Sequence, residues 1–128
     1  MPRPIHFEIH AEQPERALAF YRDLFGWSFT RWDGPWPYWL ISTGTEAPGI
    51  DGGLMQRRGP APTEGAPCNA FVCTVGVEDL DAILARVESL GGRQVVDRMQ
   101  VPGVGWLAYV HDSEGNILGL LQPEPMAG

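Results

Sequence analysis

The sequence contains no lysine, and its nine basic residues are all arginine. That absence excludes Schiff-base chemistry and the lysine of a phosphate-binding loop. Only two cysteines occur, Cys68 and Cys73, five positions apart. This spacing is not the CxxC of zinc or redox motifs, so both read as free thiols, with Cys73 expected as a small core residue inside an apolar run. Positive charge is also scarce. Sixteen acidic residues leave a formal net charge of −7 and a pI near 4.8, which argues against nucleic acid or an anionic membrane as a partner. No apolar run reaches the length of a bilayer span, and the first residues, MPRPIHFEIH, lack the pattern of a signal peptide. The expected location is cytoplasmic. With 128 residues and 44 % hydrophobic content, the chain suffices for one domain, 1–128, with a core of its own.

The pattern is built around residues 5–29. His6, Glu8 and His10 alternate with Phe7, Ile9 and Ala11, so a strand would set three polar groups on one face and three apolar ones on the other. Pro14 suits a first helical turn. Ala17, Phe20, Tyr21 and Leu24 follow at the spacing of one buried stripe, and Gly26 supplies the stop. Strands are expected at residues 27–29, 38–43 and 50–56, the last interrupted by Gly52 and Gly53. Between the first two lies a turn rich in tryptophan. Its Trp32 and Trp36, with Trp39 just beyond, either cap the core or help to wall an apolar ligand pocket.

Residues 58–67, rich in proline and glycine, read as a linker. The opening pattern then returns. A strand at 69–77 precedes a helix with Asp79 as N-cap, its stripe made by Leu80, Ile83, Val87 and Leu90 and its end by Gly91 and Gly92. Further strands are expected at 93–98, 106–111 and 117–122. Asp112, Gly115 and Asn116 form a tight turn before the last of these; His111 beside it is expected to be structural, and the closing PEPMAG to fray. A constant offset of 66 carries Gly26 onto Gly92, His6 onto Val72 and Gly53 onto Gly119. The fold expected is α+β: two tandem βαβββ modules, 4–57 and 68–123, whose strands form a cupped mixed or antiparallel sheet.

The His6 strand, the run PERALAFYRDLFGW, the later VEDLDAILARVESLGG and the closing hairpin HDSEGNILGLLQP together resemble the vicinal oxygen chelate superfamily, which includes glyoxalase I, bleomycin-resistance proteins and extradiol dioxygenases. The resemblance runs from about Ile5 to Pro123 and implies the glyoxalase-like fold and a homodimer. In the metal-dependent relatives, four inward positions supply ligands. Here they fall on His6, Gly53, Val72 and Gly119, of which only His6 can bind a metal.

Three readings of function follow. The first is a cup that binds a small-molecule ligand without a cofactor, with His6, Glu8, His10, Trp36 and Trp39 as binding residues. In the second, a divalent metal is held by His6 with Glu8, His10 or Asp51, serving a lyase, isomerase or dioxygenase. The third is a non-catalytic interaction module. General-base catalysis by the His6–Glu8–His10 cluster, next to a substrate carbonyl, is a variant of the first.

Overall fold

The structure, a computed structural model, describes residues 2–124. Much of the expected frayed tail therefore lies outside the described residues. Two compact units divide the chain, one formed by His6–Phe71 and the other by residues 2–5 with residues 72–124. Among the described residues, no helix is long and apolar enough to cross a membrane.

The first unit contains β1 (Arg3–Ala11, entering from residue 6), α1 (Pro14–Phe25), β2 (Ser28–Arg31), β3 (Tyr38–Ser42) and β4 (Gly52–Gln56). The spatial order is β2-β3-β4-β1. β2/β3 and β3/β4 are antiparallel, while β1 runs parallel to β4. Pro14 opens α1, and Gly26 closes it in the left-handed conformation (φ 75°), its N–H bonded to the Arg22 carbonyl at 2.8 Å. β4 passes through Gly52 and Gly53 without the expected interruption.

Alternation sorts this sheet into two faces. Phe7, Ile9, Ala11, Ile41 and Leu54 form the buried core, with Trp27, Phe29 and Trp39 packed on it. From α1, only Ala17 and Tyr21 join this core. The expected four-residue stripe is thus half realised: Phe20 and Leu24 are 58 % and 59 % exposed. Ala17 and Tyr21 are four apart and make one ridge along the helix, whereas Phe20 and Leu24 make the next ridge, which the core does not reach.

The second unit repeats the plan with β5 (Val72–Gly76), α2 (Leu80–Val87), β6 (Arg93–Val101), β7 (Gly105–His111) and β8 (Ile117–Pro123). The order β5-β8-β7-β6 is that of the first unit: the first strand lies beside and parallel to the last, followed by the third and the second. Asp79 caps α2 by accepting from the Ala82 N–H at 3.1 Å. The core is Val77, Leu80, Ala108, Val110 and Leu120, with Ile83 and Val87 packed against it.

Two expectations about this half are corrected. Leu90 is 66 % exposed, because the helix tightens into a 3-10 turn at Glu88–Leu90, and the change from 3.6 to 3.0 residues per turn rotates it off the stripe. Cys73 is exposed rather than buried. It shares a face with Val75 and Val77 but stands at the start of β5, short of their packed cluster. The turn chemistry is as expected: Asp112 Oδ1 accepts from the N–H groups of Glu114 (2.8 Å) and Asn116 (2.9 Å). These bonds, those from Asn116 first, hold the Asp112 carboxyl below its ordinary pKa.

Candidate functional site

Strand pairing places Glu8 opposite Gly53, and His10 opposite Met55. Leu40 in turn faces Gly53, and Tyr38 faces Met55. Residues directly opposite in a sheet share a face, so the face of the first unit turned away from its core carries His6, Glu8, His10, Tyr38, Leu40 and Met55, with Gly53 among them. His6, Glu8 and His10 lie together on it, as the alternation of β1 requires.

Glu8 is the hub of this cluster and is 6 % exposed. Its Oε1 accepts from His10 Nε2 at 2.9 Å. The Tyr38 hydroxyl stands within the influence of the Glu8 carboxyl, and His6 Nε2 lies 3.0 Å from the Tyr38 oxygen. Which of the two donates is set by the tautomer of the His6 ring. His6 is thus bonded to Tyr38, and His10 to Glu8.

Burial pushes the Tyr38 hydroxyl well above its ordinary pKa, and the charge and hydrogen bond of Glu8 add to the shift, so the phenol keeps its proton. His6 is held below the ordinary histidine value. Burial is the dominant cause, opposed by the negative charges of Glu8 and Asp51. Beyond β4, Arg57 donates from Nη2 to the His10 carbonyl at 2.8 Å.

Tyr38 was not legible as a site residue, yet it dominates the geometry. A Cβ built on Gly53 would fall on the Tyr38 hydroxyl and the ring carbons beside it. The phenol therefore fills the space that a side chain at position 53 would need. An isolated glycine in a strand signals such a close approach, and Gly53 was the available clue. In the second unit the offset of 66 replaces His6 by Val72, Glu8 by Thr74, His10 by Gly76 and Asp51 by Ile117. These four positions are thus not repeated as ionisable groups in the second unit.

The tryptophans part company. Trp39 points to the opposite face from Tyr38, half-buried against the core, with the Arg31 guanidinium 5.2 Å from its ring centroid. Trp36 is 42 % exposed and packs on Trp32 at 5.0 Å; Trp32 meets the Tyr38 ring edge-on at 6.0 Å. Trp36 is thereby linked to the cluster through Trp32, and Trp39 is not.

A divalent ion needs several convergent donors. Asp51, the expected extra ligand, accepts from the Thr43 N–H at 2.9 Å and the Thr43 hydroxyl at 3.2 Å, which ties it to the β3–β4 connection. Among the described residues, no group of three or more His, Cys, Asp or Glu side chains is placed to hold a metal ion. At position 53 the phenol occupies the space of a possible ligand. The residues present do not fit the metal set that the resemblance implies.

Two βαβββ modules of identical strand order, with a polar cluster on the face away from the core, define a glyoxalase-type protein. The chain belongs to the Glyoxalase/Bleomycin resistance protein/Dioxygenase superfamily, whose model matches residues 3–120. It is 36 % identical over 114 residues to a glyoxylase-like domain-containing protein of Didymella fabae, covering 85 % of this chain and 84 % of that one. A Mycobacterium bovis protein provisionally named glyoxylase CFP32 is 28 % identical over 120 residues; the match takes in 92 % of this chain but 43 % of that protein's length. Among solved structures, methylmalonyl-CoA epimerase from Mycobacterium tuberculosis superposes with a TM-score of 0.67 at 20 % identity, covering 95 % of this chain and 88 % of the epimerase. At that identity the likeness is one of fold.

Proposed function

We propose that this chain binds a small organic molecule on the polar face of its first module, through His6, Tyr38, Glu8 and His10, and does so without a divalent ion. The observation that supports this reading is the place of Tyr38. Its phenol stands where a side chain at position 53 would project and is hydrogen-bonded to His6. Side chains paired in this way hold their remaining donors and acceptors in fixed positions for a ligand, rather than converging lone pairs on one ion. Leu40, 47 % exposed on the same face, offers an apolar contact beside the polar groups, the usual mixture in a small-molecule site.

The test is a thermal-shift screen of small organic compounds, since a ligand that binds the folded state raises apparent stability. Compounds that stabilise the wild type should bind Glu8→Ala more weakly by about 1 to 3 kcal/mol, the cost of losing a charged hydrogen bond in a buried setting. Glu8→Gln, which keeps the shape, should lie between the two. Unchanged affinity in a folded Glu8→Ala variant removes Glu8 from the site.

A further inference from the structure

The unmet demand on the polar face of the first module belongs to Arg57. Residue 57 follows Gly53 and Met55 at the step of two that keeps the side chains of a strand on one face. Its N–H bonds the Ala11 carbonyl at 2.9 Å, which carries the β1–β4 ladder one step past its last pair, Ala11 with Gln56. Arg57 therefore stands on the face of Glu8, His10 and Tyr38. From there its side chain turns back over β1, and Nη2 donates to the His10 carbonyl at 2.8 Å.

A guanidinium carries a fork of N–H donors and a permanent positive charge. Among the described residues, the one side-chain bond of Arg57 goes to that neutral carbonyl. Nε is buried and without a partner, whereas Nη1, also unbonded, is not enclosed in this way. No carboxylate forms an ion pair with Arg57 among these residues, and Glu8, the acid on this face of β1, is bonded to His10 at 2.9 Å. The exposed Arg22 and Arg98 differ, since each has an aspartate, Asp23 at 3.4 Å and Asp81 at 3.1 Å. The half-buried arginine is thus the one left without a counter-charge, although shielding from water is what makes an unanswered charge costly. Anchored to two successive carbonyls of β1, the guanidinium is also in place before any ligand arrives, which lowers the cost of binding one.

From this arrangement we infer that Arg57 is the anion anchor of the site: the ligand is an organic carboxylate whose oxygens meet the guanidinium and whose apolar body lies towards Met55 and Leu40. Those two residues follow inward on the same face, Met55 opposite His10 and Leu40 opposite Gly53. One guanidinium balances the single charge of a carboxylate, not the charge near two of a phosphate monoester. The inference rests on the reading that this face binds a small molecule, and it adds the charge of that molecule and the residue that selects it.

Benzoate and benzamide test it, being flat, similar in size and different in charge. The wild-type protein is titrated with each and followed by 15N–1H spectra that include the Arg57 Nε–H. Benzoate should move that resonance and bind at least about tenfold more tightly than benzamide, the factor that a charged hydrogen bond supplies. Arg57→Gln should erase the preference, and Arg57→Lys, which keeps the charge but not the fork, should retain part of it. A residue that only ties down β1 would leave the preference the same in all three proteins, and that result overturns the inference. The wild-type titration decides even if Arg57→Gln does not fold. Equal affinity for the two probes, with His6 or Tyr38 perturbed by both, overturns the inference and leaves the face as a binding site. If neither probe perturbs any residue of this face, the binding reading itself falls, and the inference with it.

Discussion

Tyr38 and Gly53 exclude one another's alternatives: the phenol hydroxyl occupies the point where the first side-chain carbon of residue 53 would stand. Position 53 also lies directly opposite Glu8 on the neighbouring strand. One substitution-sensitive pair thus decides what the polar face can hold.

Gly53→Ala should destabilise the protein by about 1 to 3 kcal/mol, the usual cost of forcing atoms into a packed site. In a Tyr38→Ala background most of that cost should vanish, because the clashing ring is gone. Urea denaturation of the two single variants and the double variant measures the coupling. Additive losses would show that the Tyr38 ring does not fill the space above Gly53.

Tyr38→Phe keeps the ring and deletes the hydroxyl, so it leaves His6 Nε2 without its partner. A loss of about 1 to 3 kcal/mol is expected in the same denaturation experiment, with the slope against urea unchanged. A neutral result would mean that water replaces the hydroxyl without cost.

The pH dependence of stability carries the mark of His6. Its folded pKa is lowered, chiefly by burial, so in acid the unfolded chain takes up a proton that the folded one resists. Stability from this source is complete above the ordinary histidine value of about 6.5. It should fall as the pH drops from there towards the lowered folded pKa, and then level off. His6→Asn should remove this part of the slope between those limits.

Glu8→Gln tests the electrostatic link in the other direction. Glu8 opposes the effect of burial on His6 by its negative charge, so neutralising it should lower the His6 pKa further. An NMR titration of the His6 ring protons reads this directly, and an increase would contradict the assigned contact.

The sequence carried much of this arrangement in its periodicity. Alternation along β1 was enough to put His6, Glu8 and His10 on one face, and Pro14, Gly26 and Asp79 marked helix ends by chemistry that works within a few residues. The repeat at an offset of 66 revealed two modules, which the matching strand orders display. Long-range partners were another matter. Tyr38 reaches the cluster from a strand two places away from β1, and nothing within a window of ten residues announces it. Trp36 and Trp39 looked equivalent in the chain, but three positions separate a loop ring from a strand residue on the core face. Phe20, Leu24, Leu90 and Cys73 read as buried because apolar spacing tells which face a residue is on, not how far the covering layer extends.

The most direct test of the account is metal uptake. Wild type and His6→Ala, each loaded with zinc, nickel, manganese or iron and dialysed, would be compared by elemental analysis. With the ligand position at residue 53 filled by a phenol, neither protein should retain an ion in a His6-dependent manner. About one ion per chain in the wild type, lost in His6→Ala, would contradict the account and make the His6–Tyr38 bond a resting arrangement that gives way to coordination.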